Sequence, residues 1–221
     1  MGKTAIILGA TGLTGGILLQ KLIADKTYSK IKLFSRSSVD IQSDKIEEHL
    51  LDLLQLNTYK ESFTADEVFC CIGTTASKTK DKEVYKAIDY GIPVSAAKLA
   101  IKNNISTFAV VSSMGANALS AVFYNKTKGE MERDVLKQNI KNTYILRPSL
   151  IGGNRNEIRV GESIGKGVMS ILNPLFIGSL KKYKMIPSEK IASCMQQLAK
   201  SDTNQSIFSS DEIVEIANSI K

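Results

Sequence analysis

Three glycines spaced three apart, at positions 9, 12 and 15, follow an uninterrupted apolar run and precede a stretch with helical periodicity. The segment reads Ala5-Ile6-Ile7-Leu8-Gly9-Ala10-Thr11-Gly12-Leu13-Thr14-Gly15-Gly16. The run Thr4–Ala10 is apolar at successive positions, which suits a strand covered on both faces. Leu18, Leu19, Leu22 and Ile23 share one side of a helix predicted over Leu13–Ala24. Strand, glycine turn and helix in that order open a β-α-β unit. In such a turn the first glycine allows a sharp bend, the second a close approach of backbone to a ligand, and the third a helix lying against the strand.

The alternation continues along the chain. Ile31–Ser35, Val68–Gly73, Phe108–Ser113 and Thr143–Leu146 are short, β-branched or aromatic runs, and Glu47–Leu53 reads as a further strand. Between them, Lys82–Asn104 reads as a helix bent at Gly91-Ile92-Pro93. Tyr124–Gln138 reads as another, with Met131, Val135 and Leu136 on its inner face. This order predicts an α/β protein, a Rossmann-type doubly wound parallel sheet with right-handed crossovers. After Pro148 glycines at 152, 153, 161, 165, 167 and 178 mark loops. Residues from about 149 on are expected to form a small C-terminal substrate-side lobe with the last sheet elements, within one domain spanning 1–221.

Composition removes several function classes. The formal charge is +7, but only five of the 29 basic residues are arginine, tryptophan is absent, and acids are interleaved. That pattern argues against nucleic-acid binding and for a field that favours a small anionic ligand. Cys70, Cys71 and Cys194 form no CxxC pair, and the single histidine, His49, cannot build a multi-histidine metal site. No metal is expected. The best candidate for a span, Gly167–Leu180, has only 14 residues and contains Asn173 and Pro174. A membrane span needs ~20 apolar residues, so no integral span is expected. The first strand starts almost at the first methionine with no signal-like apolar region, and the expected location is the cytoplasm. Lys181-Lys182-Tyr183-Lys184 reads as a solvated turn, and Glu130 and Glu132 as surface groups.

The helix after the glycine turn offers unpaired N–H groups and partial positive charge, the chemistry that holds phosphate. Gly9, Thr11, Gly12, Leu13 and Thr14 are therefore expected to cradle the pyrophosphate of a dinucleotide. The second strand ends Ser35-Arg36, where an NAD-binding domain would place an acid for the ribose 2′-hydroxyl. A guanidinium there grips a 2′-phosphate, so NADP(H) is favoured over NAD(H). Tyr124 and Lys128 lie four apart on one helix face, shortly after Ser112 and Ser113 leave a strand. A free tyrosine, with a pKa near ~10, is a poor acid–base at neutral pH. A lysine cation beside it would favour phenolate and let it exchange a proton with a substrate oxygen. Ser113, or its neighbour Ser112, would hold that oxygen, and Lys128 could also anchor ribose hydroxyls.

These segments, with Cys70-Cys71-Ile72-Gly73-Thr74-Thr75, Val111-Ser112-Ser113-Met114-Gly115-Ala116, Tyr124-Asn125-Lys126-Thr127-Lys128-Gly129-Glu130 and Leu146-Arg147-Pro148-Ser149-Leu150, resemble the short-chain dehydrogenase/reductase superfamily. The similarity is to its atypical branch, and within that to the NAD(P)H-binding group typified by HIV Tat-interacting protein. The resemblance implies that Cys71, Ile72, Gly73 and Thr74 lie over the adenosine half of the coenzyme. It implies that Asp52 and Leu53 border the adenine, and that Pro148, Ser149 and Leu150 lie against the nicotinamide. It implies an NADP(H)-dependent oxidoreductase moving hydride to or from a small carbonyl or alcohol substrate. The alternative is an NADPH-binding redox-sensing regulator without robust catalysis, and a homo-oligomer or protein partner is compatible with either.

Overall fold

The computed structural model describes residues 2–152 and 184–219. In chain order the first half contains β1 (Lys3–Leu8), α1 (Leu13–Ala24), β2 (Tyr28–Ser35), β3 (Ile46–Leu50), a 3₁₀ segment (Leu53–Tyr59) and β4 (Glu67–Cys70). Then come α2 (Lys82–Lys86), a wide π turn (Ala87–Gly91), α3 (Ile92–Lys102), β5 (Thr107–Val111), α4 (Phe123–Leu136) and β6 (Asn142–Arg147). A short pair, β7 (Ile151–Gly152) and β8 (Ile186–Pro187), precedes α5 (Ser188–Leu198), β9 (Ile207–Ser209) and α6 (Ser210–Asn218).

The main sheet has seven strands in the order β3-β2-β1-β4-β5-β6-β9. Every neighbouring pair in it is parallel. The order reverses between β1 and β4, and a parallel sheet of this kind opens a ligand crevice at the carboxyl ends of its strands at that point.

Strand alternation divides the core into two. Ile7, Leu33, Phe69, Ala109 and Leu146 pack with Leu18 and Leu22 of α1, Ile191 and Met195 of α5, and Ile213 of α6. Ile6, Leu8, Phe34, Val68, Phe108 and Ile145 face the other way, against Ala96 and Ala100 of α3 and Met131 and Val135 of α4. Both faces are covered, which is why the strands read as unbroken apolar runs.

Two boundaries differ from the sequence reading. The third strand stops at Leu50, because Asp52 caps the next turn by accepting the Leu54 amide at 3.0 Å. The bent helix is resolved into α2, a π turn and α3, with Pro93 in the first turn of α3. Proline has no amide to continue the ladder, and the wide turn absorbs the break. Of the expected C-terminal lobe, residues 153–183 lie outside the described residues, including Gly153, Gly161, Gly165, Gly167, Gly178 and Lys181 to Tyr183. Among the described residues no helix is long and apolar enough to cross a membrane.

Candidate functional site

The site begins at the end of β1. Gly9 has φ +89°, a left-handed conformation that side chains disfavour. A Cβ on Gly15 would sit 2.1 Å from the Gly9 carbonyl oxygen, so α1 can lie this close to the turn only with glycine there. α1 starts after Gly12 with no side-chain cap and no acid in its first turn. Its first amides and positive dipole end are left for a ligand. Thr11 and Gly12 are exposed at this end, Leu13 is half-buried and Thr14 buried.

At the end of β2, Ser35 is buried and donates to the Ser37 carbonyl at 2.7 Å. Arg36 is exposed and has no hydrogen bond or ion pair among the described residues. The neighbouring acid, Glu48 of β3, accepts from the Ser38 hydroxyl at 2.5 Å and from the Val39 amide at 2.8 Å. It fixes the loop after Arg36 without neutralising the guanidinium. Asp52 is exposed at its cap, whereas Leu53 packs into the core on the α3 side.

The loop after β4 lies beside the glycine turn, with the Cys71 amide donating to the Leu8 carbonyl at 2.9 Å. Ile72 is half-buried and Gly73 exposed. The Thr74 amide donates to Asp89 Oδ2 at 2.7 Å, and its hydroxyl lies 2.9 Å from that of Thr79. Burial pushes the Cys70 thiol up to about 11 and raises that of Cys71 further.

The two serines after β5 have different fates. Ser112 donates to Glu132 Oε1 at 2.5 Å, and Arg147 holds the same carboxylate through Nε at 3.0 Å and Nη2 at 2.5 Å. Ser113 is buried, and its hydroxyl has no partner among the described residues. Tyr124, in the first turn of α4, is 39% exposed and stands edge-on to Tyr85 at 6.3 Å between ring centroids. Lys128, one turn further, is buried, with Nζ 2.9 Å from Asp89 Oδ1. Burial opposes the lysine charge, but Asp89 and then Tyr124 favour it, and its pKa is raised.

Past β6, the Pro148 carbonyl accepts the Met114 amide at 2.9 Å. The Ser149 amide donates to Ser210 Oγ at 3.2 Å, and the Ser149 hydroxyl donates to the Lys184 carbonyl. Leu150 is exposed. Ser149 thus ties the end of β6 to the start of α6. A cavity of about 230 Å³ at this edge is lined by Met114, Gly115, Arg147, Ser209, Ser210 and Glu212. A larger one, about 370 Å³, lies at the opposite sheet edge among Thr4, Lys30, Lys32 and Asp66, remote from the glycine turn.

Ser113, Tyr124, Lys128 and the glycine turn therefore share the carboxyl edge of the sheet. Asp89 and Tyr85 were not expected there. Glu132 corrects the surface reading: it is 3% exposed, and Glu130 is half-buried and pairs with Lys86 at 2.9 Å. The spacing 124, 128, 132 was the available signal, since it puts all three on one helix face.

Residues 30–182 match the model of the HIM1 family. The FMP52 protein of Candida albicans is 31% identical over 98% of this chain and 99% of its own length. Protein HTATIP2 of Rattus norvegicus is 29% identical over 72% of this chain and 68% of its own. Among solved structures, the Bordetella bronchiseptica enzyme WbmH in complex with NAD+ superposes with a TM-score of 0.71 at 12% identity, covering 99% of this chain and 80% of that one. That likeness is one of fold. The FMP52 relatives are named mitochondrial, which overturns the expected cytoplasmic location. The expectation rested on the lack of an apolar signal region, a feature that does not distinguish cytoplasm from mitochondrion. The family match and a relative that runs the length of the chain establish that this protein belongs to the HIM1 family, with FMP52 and HTATIP2 proteins among those it is similar to.

Proposed function

We propose that this chain is an NADP(H)-dependent oxidoreductase that transfers hydride to or from a small carbonyl or alcohol. The observation that carries the reading is the buried, unpartnered Ser113 hydroxyl on the sheet edge that also bears Tyr124, Lys128 and the uncapped start of α1. A buried hydroxyl without a partner is costly, and a substrate oxygen would satisfy it.

The residues present fit a dinucleotide. Gly9, Thr11, Gly12, Leu13 and Thr14 would hold the pyrophosphate. Ser35 and Arg36 would take the 2′-phosphate, with Asp52 and Leu53 near the adenine. Cys71 to Thr74 would lie over the adenosine half, Lys128 would hold ribose hydroxyls, and Pro148 to Leu150 would lie against the nicotinamide. The coenzyme would supply the hydride. Ser113 would orient the substrate oxygen, and Tyr124 would exchange a proton with it. WbmH, named as a complex with NAD+, lends support to a nicotinamide coenzyme, and the unpaired Arg36 supports the phosphorylated form.

Titration with NADPH and NADH, followed by nicotinamide fluorescence, tests the coenzyme. A panel of aldehydes, ketones and quinones, followed by NADPH consumption, tests the reaction. Tighter binding of NADPH with turnover of at least one carbonyl is expected. No binding of either coenzyme at millimolar concentration would overturn the reading, and tight NADPH binding without turnover would assign the regulatory alternative.

A further inference from the structure

Lys128 is clamped rather than free. Its Nζ and Asp89 Oδ1 are 2.9 Å apart, with the side chains 4% and 1% exposed. The second oxygen of Asp89 accepts the Thr74 amide at 2.7 Å. One carboxylate on the π turn therefore joins the loop after β4 to α4 at the position of the lysine.

The other titratable groups facing this pair, among the described residues, are Cys70 of β4, Tyr85 of α2 and Tyr124 itself. Cys70 and Tyr85 are both kept neutral, chiefly by burial. Lys128 and Asp89 are thus the one cation and the one anion of this cluster among the described residues. An isolated buried ammonium would pull Tyr124 strongly toward phenolate. A carboxylate in contact with that ammonium opposes most of its field.

We propose that Asp89 is a positioning residue that clamps Lys128 and offsets its charge, so that Tyr124 rests as the phenol able to donate a proton to a substrate oxygen. This rests on the oxidoreductase reading. A bound reduced nicotinamide coenzyme would supply the hydride for the new C–H bond at the carbonyl carbon, losing one of its own C–H bonds and becoming oxidised. The C=O π pair moves to oxygen, which takes the phenolic proton of Tyr124. Tyr124, 39% exposed, regains a proton from water. Lys128, held to Asp89 as an ion pair, still has N–H donors to offer ribose hydroxyls.

The test uses the full chain without coenzyme, labelled with ¹³Cζ-tyrosine, with Tyr124→Phe assigning the resonance. In Asp89→Asn, the phenol-to-phenolate titration of Tyr124 is expected to move down by about one pH unit or more. In the double variant Asp89→Asn/Lys128→Met, which leaves no charge buried, it is expected to return close to wild type. An unchanged titration in Asp89→Asn overturns the proposal. So does a double variant that titrates well above wild type, since Lys128 would then act unopposed in the native protein. The double variant alone decides the matter should Asp89→Asn fail to fold. Failure of the oxidoreductase reading appears separately, as absent NADPH binding by the wild-type chain.

Discussion

The Ser112 hydroxyl donates a hydrogen bond to Glu132 Oε1 at 2.5 Å, and this bond separates the roles of two adjacent serines. Ser113 keeps a buried hydroxyl without a partner among the described residues. Ser113→Ala is therefore expected to lower kcat/KM for carbonyl reduction by about 10²-fold or more, the usual effect of losing one donor to a reacting oxygen. The melting temperature should barely change. Ser112→Ala should instead destabilise by about 1–3 kcal/mol, because Glu132 loses a partner in the interior. Steady-state kinetics and thermal denaturation of the two variants would reveal a swapped assignment as the opposite pattern.

Arg36 stands exposed at the end of β2, without an acid to neutralise it among the described residues. A charge-assisted contact of this kind contributes about 1.5–3 kcal/mol, or roughly 10- to 100-fold in affinity. Calorimetry on Arg36→Ala should find NADPH weakened to that extent and NADH almost unaffected. Equal losses for the two coenzymes would mean that Arg36 does not touch the 2′-phosphate.

The fold was legible because both faces of the sheet are covered. Ile6 and Ile7 point to opposite cores, so the strand appears as a continuous apolar run rather than an alternation. The ends of strands were less legible. Val68–Gly73 stays largely apolar after the ladder stops at Cys70, since Cys71 and Ile72 continue into the site loop. Tyr124 and Lys128 could be found from their four-residue spacing. Asp89 could not: between Ile88 and Tyr90 it resembles any helical polar residue, and its burial depends on the π turn and on Lys128, 39 positions later. Glu132 was misread as a surface group because its partners Ser112 and Arg147 come from two other segments.

Asp25, at the end of α1, predicts an acid limit to stability. Burial works against its charge, but hydrogen bonds from Lys200, the Thr27 amide and Gln196 outweigh it and hold its carboxyl well below the usual aspartate range. A depressed folded-state pKa contributes stability that is fully present above the unfolded value, near ~3.9, and is lost as pH falls through the folded one. Chemical denaturation should show this contribution flat from neutral pH down to about 5 and declining below about 4. Asp25→Asn should flatten that part of the acid limb. An unchanged acid limb would show that the tie between α1 and α5 contributes nothing measurable.

Arg147 and Glu132 offer a test of how the site edge is held together. The carboxylate is almost wholly buried, whereas the guanidinium is 34% exposed and keeps some access to water. Removing either partner of a fully buried pair costs about 3–5 kcal/mol, and partial solvation of the arginine lowers that figure when the acid is the group removed. Arg147→Met leaves the buried Glu132 carboxyl with only the Ser112 hydroxyl, so it should be the more damaging change, by about 3 kcal/mol. Glu132→Gln leaves an arginine that can turn toward solvent and an amide oxygen that still accepts from Ser112, so its loss should be nearer 1–2 kcal/mol. Urea denaturation of both variants measures the order directly. Glu132→Gln proving the more harmful would mean that Arg147 draws its stability from the carboxylate rather than supplying it, and that the end of β6 is anchored elsewhere.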